Sequence, residues 1–138
     1  MASRRKSRRI AVQGLYGFDV GKMSADRIQT LDWVTDSETF DPSFARLLIH
    51  GTLEHIATID ASIEEHLDHW ELSRLHRVDL AILRVSTYSL LFQTDIPAHV
   101  TIDEAVELAK EMSTDDAYRF INGVLDGIRK DSDNAETP

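Results

Sequence analysis

The sequence predicts an all-α protein that forms a single domain of six to seven helices. Over most of the chain, apolar residues recur at positions i, i+3 and i+4, and few stretches alternate as strands do. The 138 residues include only three Pro and six Gly, so helices can run without interruption. This length suits one domain, and a hydrophobic content of 42% supplies a core without disulfides.

The first helix is expected from residue 3 to about residue 20. One face carries an apolar stripe at helical spacing, formed by Ala11, Gly14, Leu15 and Phe18. Another face carries polar and aromatic side chains at spacings of 4, 4 and 3, namely Arg5, Arg9, Gln13 and Tyr16. The helix therefore has one side for the core and a second side that a core does not require.

The beginning of this helix is basic and contains Arg4, Arg5, Lys6, Arg8 and Arg9. Positive charge there opposes the helix macrodipole by about 0.3–1 kcal/mol for each well-placed charge. Like charges at i and i+4 repel each other as well. Because stability alone does not favour this arrangement, two interpretations stay open: a solvated basic terminus, or a phosphate-binding end with a stacking aromatic residue, Tyr16, below it.

The charge of the whole chain is unevenly distributed. The formal net charge is −9, which argues against non-specific binding of nucleic acid over the whole surface. Five of the 15 Lys and Arg residues lie in the first nine positions, whereas all 24 Asp and Glu residues follow them. A basic end on an acidic body confines anion binding to one place.

The middle of the chain predicts a short helix, a polar connector and a long helix. The short helix covers residues 24–34 and is anchored by Ile28, Leu31 and Trp33. Asp41 before Pro42 is a helix start signal, and apolar residues continue from there at helical spacing to about Trp70. Because this is long for a globular helix, we expect a bend near Gly51 or Thr58.

The next segment predicts a turn of helix over residues 72–75 and then the most apolar helix of the chain, over residues 76–93. A helix that is apolar nearly all round is either central or an interface. Residues 95–97 are expected to turn into the next helix.

Residues 97–128 predict two helices joined by a tight corner. Thr101 followed by Glu104 matches a capping box, and Asp115 and Asp116 suit the positive end of the second helix. That helix has an apolar stripe at helical spacing: Ala117, Phe120, Ile121, Val124, Leu125 and Ile128. Its other face is polar, with Asp116, Arg119, Asn122 and Asp126.

Gly123 stands inside the second of these helices, where Gly costs about 1 kcal/mol relative to Ala. Either a closely packed backbone or a close ligand would explain this residue. Residues 131–138 lack apolar periodicity and are expected to form a disordered polar tail, which leaves residues 1–130 as the folded domain.

The motifs of common enzyme families are missing from the sequence. It contains no G-x-G-x-x-G, P-loop, G-x-S-x-G or H-E-x-x-H pattern and no Cys, so we expect neither catalysis nor a cofactor. His66 and His69 have Glu65 and Asp68 beside them, but a structural zinc site usually needs four ligands that converge, and histidines near acidic residues on a helix surface are commoner. No apolar run reaches the roughly 20 residues of a membrane span, and no signal peptide is evident. A cytoplasmic protein is expected.

Four motifs, in chain order, carry a resemblance to a known family. They are R-R-I-A-V-Q-G-L-Y at residues 8–16, A-I-L-R-V-S-T-Y at 81–88, V-T-I-D-E-A-V-E-L-A-K at 100–110 and R-F-I-N-G-V-L-D at 119–126. Together they resemble the NusB family of bacterial transcription antitermination factors. The resemblance covers nearly the whole chain, although residues 24–69 carry little of it.

The resemblance implies a fold of two helical subdomains packed together. It also implies a function: binding of boxA, a single-stranded RNA element of ribosomal RNA transcripts, together with the small-subunit ribosomal protein NusE. The complex joins elongating RNA polymerase, suppresses premature termination and supports ribosomal RNA maturation. Some members of the family are dimers, and the sequence leaves open whether this chain forms a homodimer.

The resemblance implies RNA-binding residues at the positions that match the family motifs, and these residues fall into two segments. The first contains Arg4, Arg5, Lys6, Arg8, Arg9, Gln13 and Tyr16. The second contains Asp116, Arg119, Phe120, Asn122 and Gly123. Arg and Lys can neutralise phosphates, aromatic rings can stack on unpaired bases, and Asn and Gln can bond base edges. Phe120 also fits the core stripe, and Asn122 could instead cap local backbone. The prediction requires that Arg5 and Asn122 lie on the same side of the molecule.

The resemblance places the contact with NusE on the apolar central helix, around Asp79, Leu83 and Tyr88. The chain departs from the family at Ser89, where many members carry Glu. Two other functions stay open: a helical scaffold that binds only protein, and the RNA-binding module of a ribosomal RNA methyltransferase. The second is disfavoured because no cofactor-binding segment is present in the 138 residues.

Overall fold

A computed structural model describes residues 3–35, 39–68 and 71–136, and within these ranges the protein is helical, without a β-strand. The described residues form seven α-helices: α1 (Arg4–Asp19), α2 (Ala25–Thr30), α3 (Pro42–Glu54), α4 (Ile56–Glu64), α5 (Arg77–Phe92), α6 (Ala98–Met112) and α7 (Ala117–Glu136). A short 3₁₀ helix, Leu72–Arg74, precedes α5. The predicted all-α fold is confirmed.

Helix α5 is the centre of the molecule. Every residue from Asp79 to Leu90 is buried, and the helix packs against α1, α3, α4, α6 and α7. Helices α1, α2 and α3 pack on one another, with α1 and α3 also packing on α5, whereas α6 and α7 pack on each other and on α5. These two groups correspond to the two predicted subdomains, with α5 shared between them.

The first three helices begin where the sequence predicts. Ser3 and Ser24 each accept a hydrogen bond from the backbone N–H three residues later, and Asp41 Oδ1 accepts one from Phe44 N at 3.1 Å. Each side chain satisfies one of the N–H groups that a helix start leaves unbonded.

The beginning of α6 differs from the prediction. The helix starts at Ala98, directly after Pro97, so Thr101 lies inside it and is buried. Pro97 suits this place because it has no N–H to leave unbonded and its φ is already −56°. The predicted capping box is therefore wrong. The Thr101 hydroxyl finds no hydrogen-bond partner among the described residues.

The predicted long helix is two helices. It breaks at His55, where φ is −111° and ψ is 21°, between Gly51 and Thr58, the two predicted bend positions. Thr52 Oγ1 donates to the Leu48 carbonyl at 2.6 Å, and such a bond bends a helix. Helix α4 ends at Glu64, earlier than predicted. Trp70 lies outside the described residues.

Helix α7 continues to Glu136, so residues 131–136 are helical where a disordered tail is predicted. Charge pairs within the helix replace apolar periodicity there. Arg129 contacts Asp126 at 2.8 Å and Asp133 at 3.2 Å, and pairs at i, i+3 and i, i+4 stabilise helices. Thr137 and Pro138 lie outside the described residues.

A network of ion pairs joins three helices. The Arg84 guanidinium on α5 makes two hydrogen bonds of 2.9 Å with the Asp60 carboxylate on α4. Its Nη1 lies 3.5 Å from Asp19 at the end of α1, and Arg77 contacts Asp19 at 3.1 Å. The network fixes the end of α1 and the middle of α4 against the central helix.

Candidate nucleic-acid interface

The five basic residues at the start of α1 point in different directions. Arg5 and Arg9 face α6, where Arg5 Nε lies 2.9 Å from Glu104 and Arg9 Nη2 lies 3.0 Å from Glu111. The hydrogen bond with Glu104 raises the pKa of Arg5. Both cations thus already have carboxylate partners on the neighbouring helix.

Arg4 and Arg8 lie on another side of α1, over the ring of Phe44 in α3. Their guanidinium carbons are 4.3 Å and 5.3 Å from the ring centroid, which is cation–π distance. Burial lowers the pKa of Arg8, although a guanidinium stays charged in proteins. Lys6 is 3% exposed. The basic cluster is therefore divided over two surfaces, with one member buried.

Gln13 and Tyr16 are exposed farther along α1, and Tyr16 keeps 38% of its surface accessible. Both side chains line a surface pocket at the junction of α1 and α2, together with Gly17, Lys22, Met23, Arg27 and Trp33. We call it the α1–α2 pocket.

The second predicted segment lies on the open side of α7. Asp116, Arg119, Asn122 and Gly123 are exposed, and Phe120 is half-buried against the core. A Cβ atom built on Gly123 would meet no atom of the described residues within 4 Å. Close packing thus does not explain Gly123, whereas the open space beside it leaves room for a close ligand.

Gly123 opens into a cleft between α7 and the end of α4. The cleft is lined by His66, Asp68, Arg119, Phe120, Gly123 and Val124. Phe120 both packs at the edge of the core and lines this cleft, so its two interpretations are compatible.

His66 is held in the wall of this cleft. One ring nitrogen lies 2.9 Å from the Ser62 carbonyl and the other 2.8 Å from Asp131. Within the described ranges, no group of three or more His, Asp or Glu side chains is placed to hold a metal ion. His69 lies outside them.

Helix α6 lies between the two predicted RNA-binding segments. On one side it contacts Arg5 and Arg9, as described above. On the other side, Lys110 Nζ lies 4.9 Å from the ring centroid of Tyr118, and Arg119 Nε donates to the Tyr118 hydroxyl at 3.2 Å, which raises the pKa of Arg119. Both segments therefore border α6, but the surface between them is mixed in charge, with Glu104, Glu107, Lys110 and Glu111.

The three residues predicted to contact a protein partner do not form one surface. Leu83 is fully buried, and Asp79 and Tyr88 are 8% and 7% exposed. Asp79 accepts a hydrogen bond from Ser113. Tyr88 lies nine residues farther along α5, which at about 100° per residue is the opposite face of the helix.

Tyr88 packs into a space that only a glycine leaves free. A Cβ atom on Gly51 would lie 2.1 Å from Tyr88 Cζ, and burial raises the pKa of the Tyr88 hydroxyl. The ring lies beside Phe92, at 5.7 Å between centroids, and Phe92 in turn stacks on His55 at 4.0 Å. Phe92 is 41% exposed, and the family motifs in the sequence do not include it.

Comparisons with known proteins agree on one family. A family model described as the NusB family matches residues 5–130. The transcription antitermination protein NusB of Treponema pallidum (strain Nichols) is 46% identical over 130 residues, covering 92% of each chain. The structure of T. maritima NusB has 37% sequence identity and a TM-score of 0.81, covering 94% of this chain and 93% of that one. A crystal structure of antitermination factors NusB and NusE in complex with dsRNA has 26% identity and a TM-score of 0.82, covering 93% and 96%.

Proposed function

This chain belongs to the NusB family, and from that membership we propose that it is a transcription antitermination factor that binds RNA together with NusE. The RNA is the single-stranded boxA element of ribosomal RNA transcripts, and the complex joins elongating RNA polymerase. In this role the protein acts by binding and has no reaction of its own. It works in the cytoplasm, where bacterial transcripts are made. None of the described helices combines the length and apolar character of a membrane span.

The observation that carries the proposal is that suitable side chains, exposed or half-buried, reach the surface on both sides of α6. Arg5 and Arg9 lie on one side and Arg119 and Asn122 on the other, and these side chains can bind phosphates and base edges. The nearby Tyr16 is exposed and can stack on a base that is not paired. The solved relative with NusE contains double-stranded RNA, but stacking on aromatic side chains favours an unpaired strand here.

For the contact with NusE, we propose that Asp79, Leu83 and Tyr88 act from inside the protein. Their burial prevents them from forming a docking surface by themselves. They instead fix the position of α5, and with it the exposed residues at the two ends of that helix. His76 at one end and Phe92 at the other are exposed.

The test is a titration of the protein with boxA RNA, a scrambled strand of equal length and a boxA duplex, each with and without NusE. We expect the boxA strand to bind most tightly, and NusE to tighten that binding further. Equal affinity for the boxA and scrambled strands in the presence of NusE would instead favour a scaffold that binds only protein.

Gly123→Ala is expected to separate RNA binding from stability. The helix should gain up to about 1 kcal/mol, because Ala is the better helix former and the added methyl group meets open space. RNA affinity should fall by roughly five- to tenfold, which corresponds to about 1–1.4 kcal/mol, if the nucleotide approaches the bare backbone. Thermal unfolding and RNA titration of the same sample measure both effects.

Asn134→Ala is the matched control, because it also replaces an exposed α7 residue by a better helix former. Its RNA affinity should stay unchanged. A Gly123→Ala protein that binds boxA RNA as tightly as the wild type would show that no ligand needs the space at Gly123.

A further inference from the structure

The α1–α2 pocket has the size and composition of a ligand site. Its volume is about 450 Å³, within the range of small-molecule sites in proteins. Two aromatic residues, Tyr16 and Trp33, two cations, Lys22 and Arg27, and the amide of Gln13 line it. The resemblance assigns RNA binding to Gln13 and Tyr16 but gives no role to the other three.

The indole of Trp33 is held in a fixed orientation. Its Nε1 donates a hydrogen bond to the Ile28 carbonyl at 3.0 Å. Its ring edge packs on Gly14, where a Cβ atom would lie 3.1 Å from Cζ2. Leu31 ends α2 in the left-handed conformation, with φ at 63°, which is uncommon for a residue other than Gly. This turn directs the chain from α2 to Trp33. The result is an aromatic wall that is already in place before any ligand binds.

The two cations of the pocket are available for an anionic ligand. Lys22 and Arg27 are exposed. Arg27 lies 3.6 Å from Asp32, and more than half of each side chain is accessible to water. An exposed ion pair of this kind contributes little stability, so a phosphate group can replace Asp32 with little loss.

The pocket is continuous with the RNA-facing side of α1. Arg9, Gln13 and Tyr16 follow one another at spacings of 4 and 3 and therefore share a face of the helix. Arg9 lies near α6, whereas Gln13 and Tyr16 line the pocket. A strand that follows this face away from α6 reaches Lys22 and Arg27 next.

We propose that the α1–α2 pocket binds unpaired nucleotides that adjoin the boxA element in the same RNA strand. The base that follows the boxA nucleotide at Tyr16 and Gln13 packs against Trp33, and Lys22 and Arg27 bind the flanking phosphates. This inference rests on the proposed RNA-binding function and extends the RNA path beyond the residues that the family resemblance supplies.

The test compares a boxA core strand with two longer strands, each carrying four additional unpaired nucleotides at one end. One of the longer strands should bind the wild-type protein roughly tenfold more tightly than the core, as expected for one stacked base and its phosphates. Lys22→Ala with Arg27→Ala should abolish this gain and leave the affinity for the core strand within about twofold. Arg74→Ala, which removes an exposed cation outside the pocket, should change neither value.

Trp33 provides a direct signal, because the chain has only two Trp residues. In a Trp70→Phe background, the strand that binds more tightly should quench the remaining Trp emission, and the core strand should not. Equal affinity for all three strands, a gain that survives the double substitution, or unquenched emission would each overturn the pocket proposal while the proposed function stands. Failure of every strand to bind would overturn both.

Discussion

Arg84→Ala is expected to lower the free energy of unfolding by about 2–4 kcal/mol. The Arg84 side chain is 11% exposed and binds Asp60, which is 23% exposed, while also lying 3.5 Å from Asp19. Its removal leaves the Asp60 carboxylate without its guanidinium partner and weakens the contact of α4 with α5. The expected loss is below that of a fully buried pair because water reaches all three side chains.

Chemical denaturation of the variant measures this loss. Arg129→Ala is the control, since Arg129 also binds two carboxylates but does so on the surface of a single helix. It should have a much smaller effect. If Arg84→Ala were no more destabilising than Arg129→Ala, the network of α1, α4 and α5 would not contribute to stability.

Local signals in the sequence were sufficient to predict most helix starts. The side chains of Ser3, Ser24 and Asp41 accept hydrogen bonds from the backbone N–H three residues later. A short stretch of sequence is therefore enough to predict these helix starts. At α6 two such signals compete, and Pro97 determines the start. Thr101 is buried by tertiary packing, which the local sequence does not contain.

The residue types of the candidate interface could be predicted from the sequence, whereas the ion pairs that its basic residues form could not. A run of basic residues in a helix spreads around it at about 100° per residue, which separates Arg5 from Arg4. The partner of Arg5 is Glu104, 99 residues away, and no local pattern identifies that pair. The same helical geometry could have shown from the sequence that Asp79 and Tyr88 lie on opposite faces of α5.

Gly123 shows how structure selects between explanations that a sequence leaves open. From the sequence, close packing and a close ligand explain the residue equally well. The open space beside it removes the first explanation. At Gly51 the opposite holds, because the Tyr88 ring occupies the position of a Cβ atom.

The double substitution Arg5→Ala and Arg9→Ala is expected to reduce affinity for boxA RNA by roughly 10- to 100-fold at low salt, which corresponds to about 1.4–2.7 kcal/mol in total. This is less than two hydrogen bonds to charged groups at about 1.5–3 kcal/mol each, because both arginines give up a carboxylate partner when they bind phosphate. Stability should change by less than about 1 kcal/mol. The loss of the pairs with Glu104 and Glu111 is offset by relief of positive charge at the start of α1. Thermal unfolding checks the second expectation, and RNA titration checks the first.

The salt dependence of binding distinguishes lost phosphate contacts from a distorted fold. If the wild type neutralises three to five phosphates, log K should fall against log salt with a slope of roughly −2 to −3.5. The double variant should have a slope shallower by about 1.4, which corresponds to two phosphates. The complementary change, Glu104→Gln, removes the charged partner of Arg5 and should therefore tighten RNA binding. An unchanged slope in the double variant would mean that these two arginines do not contact phosphate, whatever the loss of affinity.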